Sequence, residues 1–224
     1  MVQVRYLIVR WTDVCLEPRD IPKLRGFFVR KFPETHLFHN HLPGQGYDYK
    51  TPRIQYRVID GHPALLAFNE GIELMKKVFL EVNELVINGK TFTSNEREIS
   101  LKEADFGQSE TYYNYSFCSP WMALNQENYR QFETFDSFQR NQRLKTILKN
   151  NLKTLSKAFA YWIPEADKLN VDGWFKPLEV NFHNQVMQCF TGEFTTNFLI
   201  PEFLGLGKQS ARGFGVVGKK KEIL

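Results

Sequence analysis

The chain has 224 residues, 42% of them hydrophobic and 24% charged, with a formal net charge of +4 and a pI near 8.9. That is the balance of a folded, soluble protein, long enough for one large domain or two of roughly 110 residues, and its basic excess permits an acidic partner without demanding one. No apolar run approaches the roughly 18 residues of a membrane span, Met1-Val-Gln-Val-Arg-Tyr carries no signal-peptide pattern, and Cys15, Cys118 and Cys189 are too scattered for zinc and odd in number for disulfides, so a reducing, cytoplasmic, membrane-free setting is expected.

Residues 2–11 alternate and are rich in β-branched side chains, which predicts a strand. Asp20-Ile-Pro-Lys supplies an N-cap with proline inside the first turn, and Leu24, Phe27, Phe28 and Phe32 recur at helical spacing until Pro33. Residues 53–60 and 63–68 are two short strands joined at Asp60-Gly61, a hairpin signal. An amphipathic helix follows over 70–80, then strand over 84–88 and 91–101 around Asn88-Gly89. The order β-α-β-β-α-β is ferredoxin-like. The polar stretch 102–109 is expected to be a hinge, dividing the chain into an N-terminal domain over 1–103 and a C-terminal domain over 109–224.

Beyond the hinge, residues 111–117 are a strand, and 136–162 contain a long helix with Leu144, Ile147, Leu148, Leu152, Leu155 and Phe159 as its apolar stripe. Its other face carries Arg140, Arg143, Lys145, Lys149, Lys153 and Lys157 against one acid, Asp136. Such a face is either simply solvated or lies along a nucleic-acid backbone, where each cation near a phosphate releases counterions. Residues 175–182 and 185–199 form a hairpin of long strands, making the second half a looser copy of the first. The expected class is α+β, two tandem ferredoxin-like (βαββαβ) domains.

The hairpin leads into Gly205-Leu-Gly-Lys-Gln-Ser-Ala-Arg-Gly-Phe-Gly215, followed by Lys219, Lys220 and Lys221 with no acid between. Glycines at 205, 207, 213 and 215 allow positive φ and let backbone N–H groups turn toward an anion, with Ser210 between them and Lys208 and Arg212 adding charge. A Walker A loop is excluded, because Gly207-Lys208 is followed by Gln209 and Glu202 stands where the first glycine belongs. A dinucleotide fingerprint fails at Ser210, and too little chain follows for a βαβ unit. The stretch is either a phosphate-holding loop or a plain glycine-rich hairpin.

Of five histidines, His36, His39 and His41 crowd into six residues ahead of Leu42-Pro-Gly-Gln-Gly-Tyr47 and Tyr49. In an extended chain residues two apart point the same way with Cα atoms about 6.5 Å apart, so His39 and His41 could straddle one phosphodiester. An unperturbed imidazole pKa of about 6.5 lets one act as neutral base while another acts as charged acid. On RNA, a base activating the 2′-OH and an acid protonating the departing 5′-oxygen would leave a 2′,3′-cyclic phosphate and a 5′-OH. Lys31 could balance charge on the phosphate, and Tyr47 or Tyr49 could position the 2′-OH. Two other readings stay open: a three-histidine metal site, with Glu34 and Asp48 at its margins, and a structural helix end.

Gly-x-Gly-(x)5-Gly-Phe-Gly near the C-terminus resembles the signature loop of the RAMP superfamily of CRISPR-associated RNA-binding proteins. Arg25-Gly-Phe-Phe, Leu37-Phe-His-Asn-His41, Ile54-Gln-Tyr-Arg-Val-Ile-Asp-Gly61, Asn69-Glu-Gly71 and Gly192-x-Phe-x-x-Asn-x-x-Ile-Pro201 are similar to the endoribonuclease of that superfamily that cuts repeat RNA. The resemblance implies two ferredoxin-like domains and cleavage of precursor CRISPR RNA within its repeats without metal or other cofactor. It implies His41, His39, Lys31 and one of Tyr47 and Tyr49 as catalytic residues, and an RNA grip at Lys208 and Arg212. Lys149, Lys153 and Lys157 are expected to add to that grip. CRISPR repeat RNA is the expected partner, with a CRISPR effector complex and a homodimer as further associations. A non-cleaving RNA-binding subunit of such a complex, or a metal-dependent hydrolase, is the alternative.

Overall fold

Strand β1 (Val2–Trp11) ends on Trp11, which is wholly buried and donates its indole N–H to the Val82 carbonyl at 3.3 Å. In this computed structural model residues 1–39, 41–42, 45–47, 51–182 and 185–220 are described, with the side chains of 39, 41–42, 45–47, 126 and 127 excepted. Helix α1 (Ile21–Lys31) opens after a 3-10 turn at Pro18–Asp20, with Pro22 in the first turn, where a missing N–H costs no hydrogen bond. It buries Leu24, Phe27 and Phe28 of the predicted stripe together with Ile21, while Phe32, the stripe's fourth member, is buried just past its end.

Next come α2 (His36–His39), β2 (His41–Leu42), β3 (Gln45–Tyr47), β4 (Ile54–Ile59), β5 (His62–Phe68), α3 (Gly71–Glu81), β6 (Glu84–Ile87), β7 (Lys90–Thr93) and β8 (Arg97–Phe117). Asp60-Gly61 and Asn88-Gly89 each hold two consecutive positive φ angles, the turn that suits the twist of a two-residue hairpin. Strands lie side by side as β4-β5-β1-β8, with β5 antiparallel to both β4 and β1. In chain order those four are second, third, first and fourth, the ferredoxin arrangement. Beneath them, Trp11, Phe28, Phe32, Phe38 and Tyr56 join Met75 and Val78 in one core.

The remaining elements are α4 (Gln126–Glu133), α5 (Ser137–Ala158), β9 (Val171–Phe182), β10 (Gln185–Leu199) and β11 (Val217–Lys219). Here the order is β9-β10-β8-β11, again second, third, first and fourth. Where a second crossover helix would stand, the chain has the glycine stretch with a 3-10 turn at Ser210–Arg212. One compact unit takes in Val4–Ala104 and Ala211–Gly213; the other takes in Met1–Gln3, Asp105–Ser210 and Phe214–Leu224.

Residues 102–109, expected as a hinge, are strand. β8 runs unbroken from Arg97, and β6 with β7 forms a separate two-stranded hairpin. The polar side chains that suggested a loop serve the ladder instead, as Glu103 does in pairing with Arg5 at 2.8 Å. β8 breaks register against β10 where residues 109–112 oppose the single residue Asn197, a bulge that bends the strand. Just before it Gly107 has φ +117°, and a Cβ there would stand 2.5 Å from the Tyr161 ring.

Helix α5 is capped at Asp136, whose carboxylate accepts from the Gln139 N–H at 2.8 Å while the Gln139 side chain accepts from the Asp136 N–H at 3.1 Å. Asp136→Ala removes that reciprocal pair and should lower the unfolding free energy by about 1 kcal/mol, read from urea denaturation; an unchanged midpoint would contradict it.

Candidate nucleic-acid interface

The glycine stretch is packed from below by Trp121. That indole is wholly buried, stacks on Phe117 at 5.0 Å and donates its N–H to Asn151 Oδ1 of α5 at 3.1 Å. A Cβ on Gly207 would lie 2.7 Å from the indole nitrogen, and one on Gly215 would run into the Leu206 carbonyl. Both residues have positive φ, so glycine is required twice over. On the unit containing Val4–Ala104, Gly213 is likewise required, because the Ile21 side chain occupies its Cβ position. Phe214 meets Phe182 edge-on at 5.4 Å.

Several backbone amides expected to face an anion are taken by the chain itself. Leu206 donates to Gly215, Lys208 to Met122 and Gly215 to Pro120, at 2.8 to 3.1 Å. These three N–H groups are therefore not turned toward an anion. Lys208 is pinned through its backbone while its side chain is exposed, and partial enclosure pulls its ammonium pKa below the usual lysine value. Arg212 is half-buried and Ser210 is buried. The expectation that the C-terminal lysines are uncompensated needs correction: Lys220 pairs with Glu193 at 2.8 Å and Lys219 lies 4.4 Å from the Tyr113 ring centre. Lys221 lies outside the described residues.

The six cations of α5 separate into two groups. Arg140 donates to the Phe132 and Glu133 carbonyls, Arg143 to Asn128, and Lys145 pairs with Asp172 at 2.6 Å. The hydrogen bond and charge of Lys145 hold the Asp172 carboxyl below its usual pKa. Lys149, Lys153 and Lys157 have no acidic partner among the described residues, and successive members stand four residues apart on one helical row.

Phe38 anchors the histidine segment. It is buried within α2 and stacks on Phe28 at 5.6 Å and on Phe32 at 5.4 Å. Lys31 closes α1, exposed, with its ammonium 5.9 Å from the Phe27 ring centre. His39 ends α2, so the extended geometry expected across His39 and His41 does not hold at His39. His41 opens β2, and the ladder sets it opposite Tyr47 of β3. The side chains of His39, His41 and Tyr47, and all of Tyr49, lie outside the described residues. His36 is exposed and close enough to Glu70 for its charge to act there. Burial pushes the Glu70 carboxyl pKa up, but hydrogen bonds from its own backbone and from Arg53, with the charges of Arg53 and His36, outweigh that and hold it low.

Sequence reasoning missed Trp121, Asn151 and Phe38. The apolar run Trp121-Met-Ala-Leu124, just past a strand end, was a usable sign of a buried platform. Gly207→Ala should destabilise the fold by more than about 1 kcal/mol, because it adds both a clash and an unfavourable φ. Lys208→Ala should leave thermal unfolding nearly unmoved. Equal midpoints for the two variants would show that the loop is not packed as described.

Two family models cover nearly the whole chain: the Cas6b N-terminal domain over residues 2–105 and the Cas6b C-terminal domain over 107–220. An uncharacterised protein of Methanocaldococcus jannaschii is 31% identical over 148 residues, 66% of this chain and 100% of that protein. A crystal structure of Cas6b matches with a TM-score of 0.91 and 35% identity, covering 98% of this chain and 100% of that one. A second, of the CRISPR RNA processing endoribonuclease Cas6b, matches with a TM-score of 0.79 and 31% identity over the same shares. With both halves matched in order, the chain belongs to the Cas6b family of Cas6-type RAMP proteins, which process CRISPR RNA.

Proposed function

We propose that the chain is a metal-independent endoribonuclease that cleaves precursor CRISPR RNA within its repeats. The observation that carries this reading is the match to a CRISPR RNA processing endoribonuclease across 98% of the chain. The chain order supports it, since Lys31 closes α1 and His39, His41 and Tyr47 follow in the short elements α2, β2 and β3.

One imidazole, neutral, takes the proton of the 2′-OH; that oxygen attacks the adjacent phosphorus and the bond to the 5′-oxygen breaks. The other imidazole, charged, gives its proton to the departing oxygen, leaving a 2′,3′-cyclic phosphate and a 5′-OH. His41 and His39 hold these two roles. Lys31 offsets charge on the non-bridging oxygens. Tyr47 orients the 2′-OH, a role its register opposite His41 favours over Tyr49. Lys208 and Arg212 hold the backbone, and Lys149, Lys153 and Lys157 extend that hold.

Incubation with the repeat RNA in excess chelator should give one cut with cyclic phosphate and 5′-OH ends. His41→Ala should lose at least about a hundredfold in single-turnover rate with binding intact. A 2′-deoxy sugar just upstream of the cut should abolish cleavage; a deoxy substrate that is still cut, or cleavage that stops with chelator, would sink the mechanism. Replacing Lys149, Lys153 and Lys157 by alanine should lower the slope of log affinity against log salt by about 2, and an unaltered slope would remove that face from the interface.

A further inference from the structure

The N-terminal unit has a cavity of about 290 Å³ between α1 and the β6–β7 turn. One wall is the α1 face of Pro22, Lys23, Gly26 and Arg30; the other is Val86 with the Asn88-Gly89 turn. The turn is tied to the start of α1, since the Asn88 amide donates to Asp20 Oδ1 at 3.1 Å, while the other carboxylate oxygen of Asp20 accepts from the Glu17 N–H at 3.1 Å. That acid is thus engaged within the protein. Lys23 and Arg30 are exposed, with no acidic partner among the described residues. They stand seven residues apart, about two helical turns, and so project along the same wall.

Gly26 sharpens the case. A glycine inside a helix costs about 1 kcal/mol relative to alanine. Its φ is not among the positive ones, and an added Cβ would meet nothing nearer than an Arg30 nitrogen at 3.4 Å, an ordinary contact. Neither backbone geometry nor internal packing calls for glycine here. Its effect is to lower the α1 wall, where the nearest group is the flexible Arg30 guanidinium. Pro22 is exposed and Val86 is 39% exposed, giving a bound molecule an apolar surface on each wall beside the two cations.

We propose that this cavity is a nucleotide subsite, holding one or two residues of a single-stranded part of the RNA. A ribose or base rests on Pro22 and Val86, and the flanking phosphates meet Lys23 and Arg30. The space is too small for a duplex, and two unpaired cations favour a polyanion over a protein segment. The strand's identity as repeat RNA rests on the proposed function. Arg30 precedes Lys31, so a strand seated here lies along the helix whose last residue has been placed at the reacting phosphate.

The probe is the repeat RNA carrying 2′-O-methyl groups throughout, which cannot be cut by 2′-OH attack, with binding followed by fluorescence anisotropy over a salt series. Lys23→Ala/Arg30→Ala should weaken binding at least tenfold and lower the log–log salt slope by about 1.4, the value for two single-strand phosphate contacts. Gly26→Ala should raise the thermal midpoint and weaken binding several-fold, a split that a purely structural glycine would not produce. The proposal is overturned by wild-type affinity and slope in the double variant, or by a Gly26→Ala protein that gains stability at no loss of affinity. Because the probe cannot be cleaved, weakened binding upholds the subsite even if no cleavage is ever seen. Normal cleavage with unaltered binding removes the subsite and leaves the proposed function standing.

Discussion

The contact of the Trp121 indole with the glycine stretch is the constraint on which the C-terminal unit turns. A buried indole needs a partner for its N–H, and Asn151 of α5 provides it at 3.1 Å. The same ring faces the space where side chains on Gly207 and Gly215 would stand, and packs on Phe117 and Phe175 of the sheet. Helix, sheet and loop therefore meet at one side chain. The loop can replace a crossover helix because it is packed as a helix would be, and its glycines answer to that packing before they answer to any ligand.

Positive charge on this protein is of two kinds. Arg140, Arg143, Lys145 and Lys220 are drawn into carbonyls, amides and carboxylates, where they tie elements together. Lys149, Lys153 and Lys157, with Lys23 and Arg30 on the other unit, have no acidic partner among the described residues. The net charge of +4 hides this division. An unpaired cation keeps its field available to a phosphate, whereas a paired one must first give up a partner, which is why the proposed interface is assigned to the second group.

Much of the architecture was legible in the chain. Leu24, Phe27 and Phe28 marked α1, Asp60-Gly61 marked the β4–β5 turn, and the Leu144 to Leu155 stripe marked α5; each is a short-range pattern, set by side-chain period or by the φ angles a residue tolerates. The stretch 102–109 does contain the division between the two units, but it is strand rather than the expected loop, because polar residues look alike in a loop and on an exposed ladder. Pairings with residues distant in sequence, such as Glu103 with Arg5 and Gln108 opposite Phe198, tell loop from ladder.

By itself, then, the sequence determined the order of strands and helices, the glycine spacing, the crowding of His36, His39 and His41, and through these the family. Tertiary structure alone decided which cations are neutralised, that the amides of Leu206, Lys208 and Gly215 bond within the protein, that Phe38 is buried in the core, and that a side chain at Gly26 would meet only Arg30. The physical reason is range. Periodicity, turn chemistry and spacing act between neighbours along the chain, while ion pairing, ring stacking and the need for a missing Cβ are set by residues that meet only after folding.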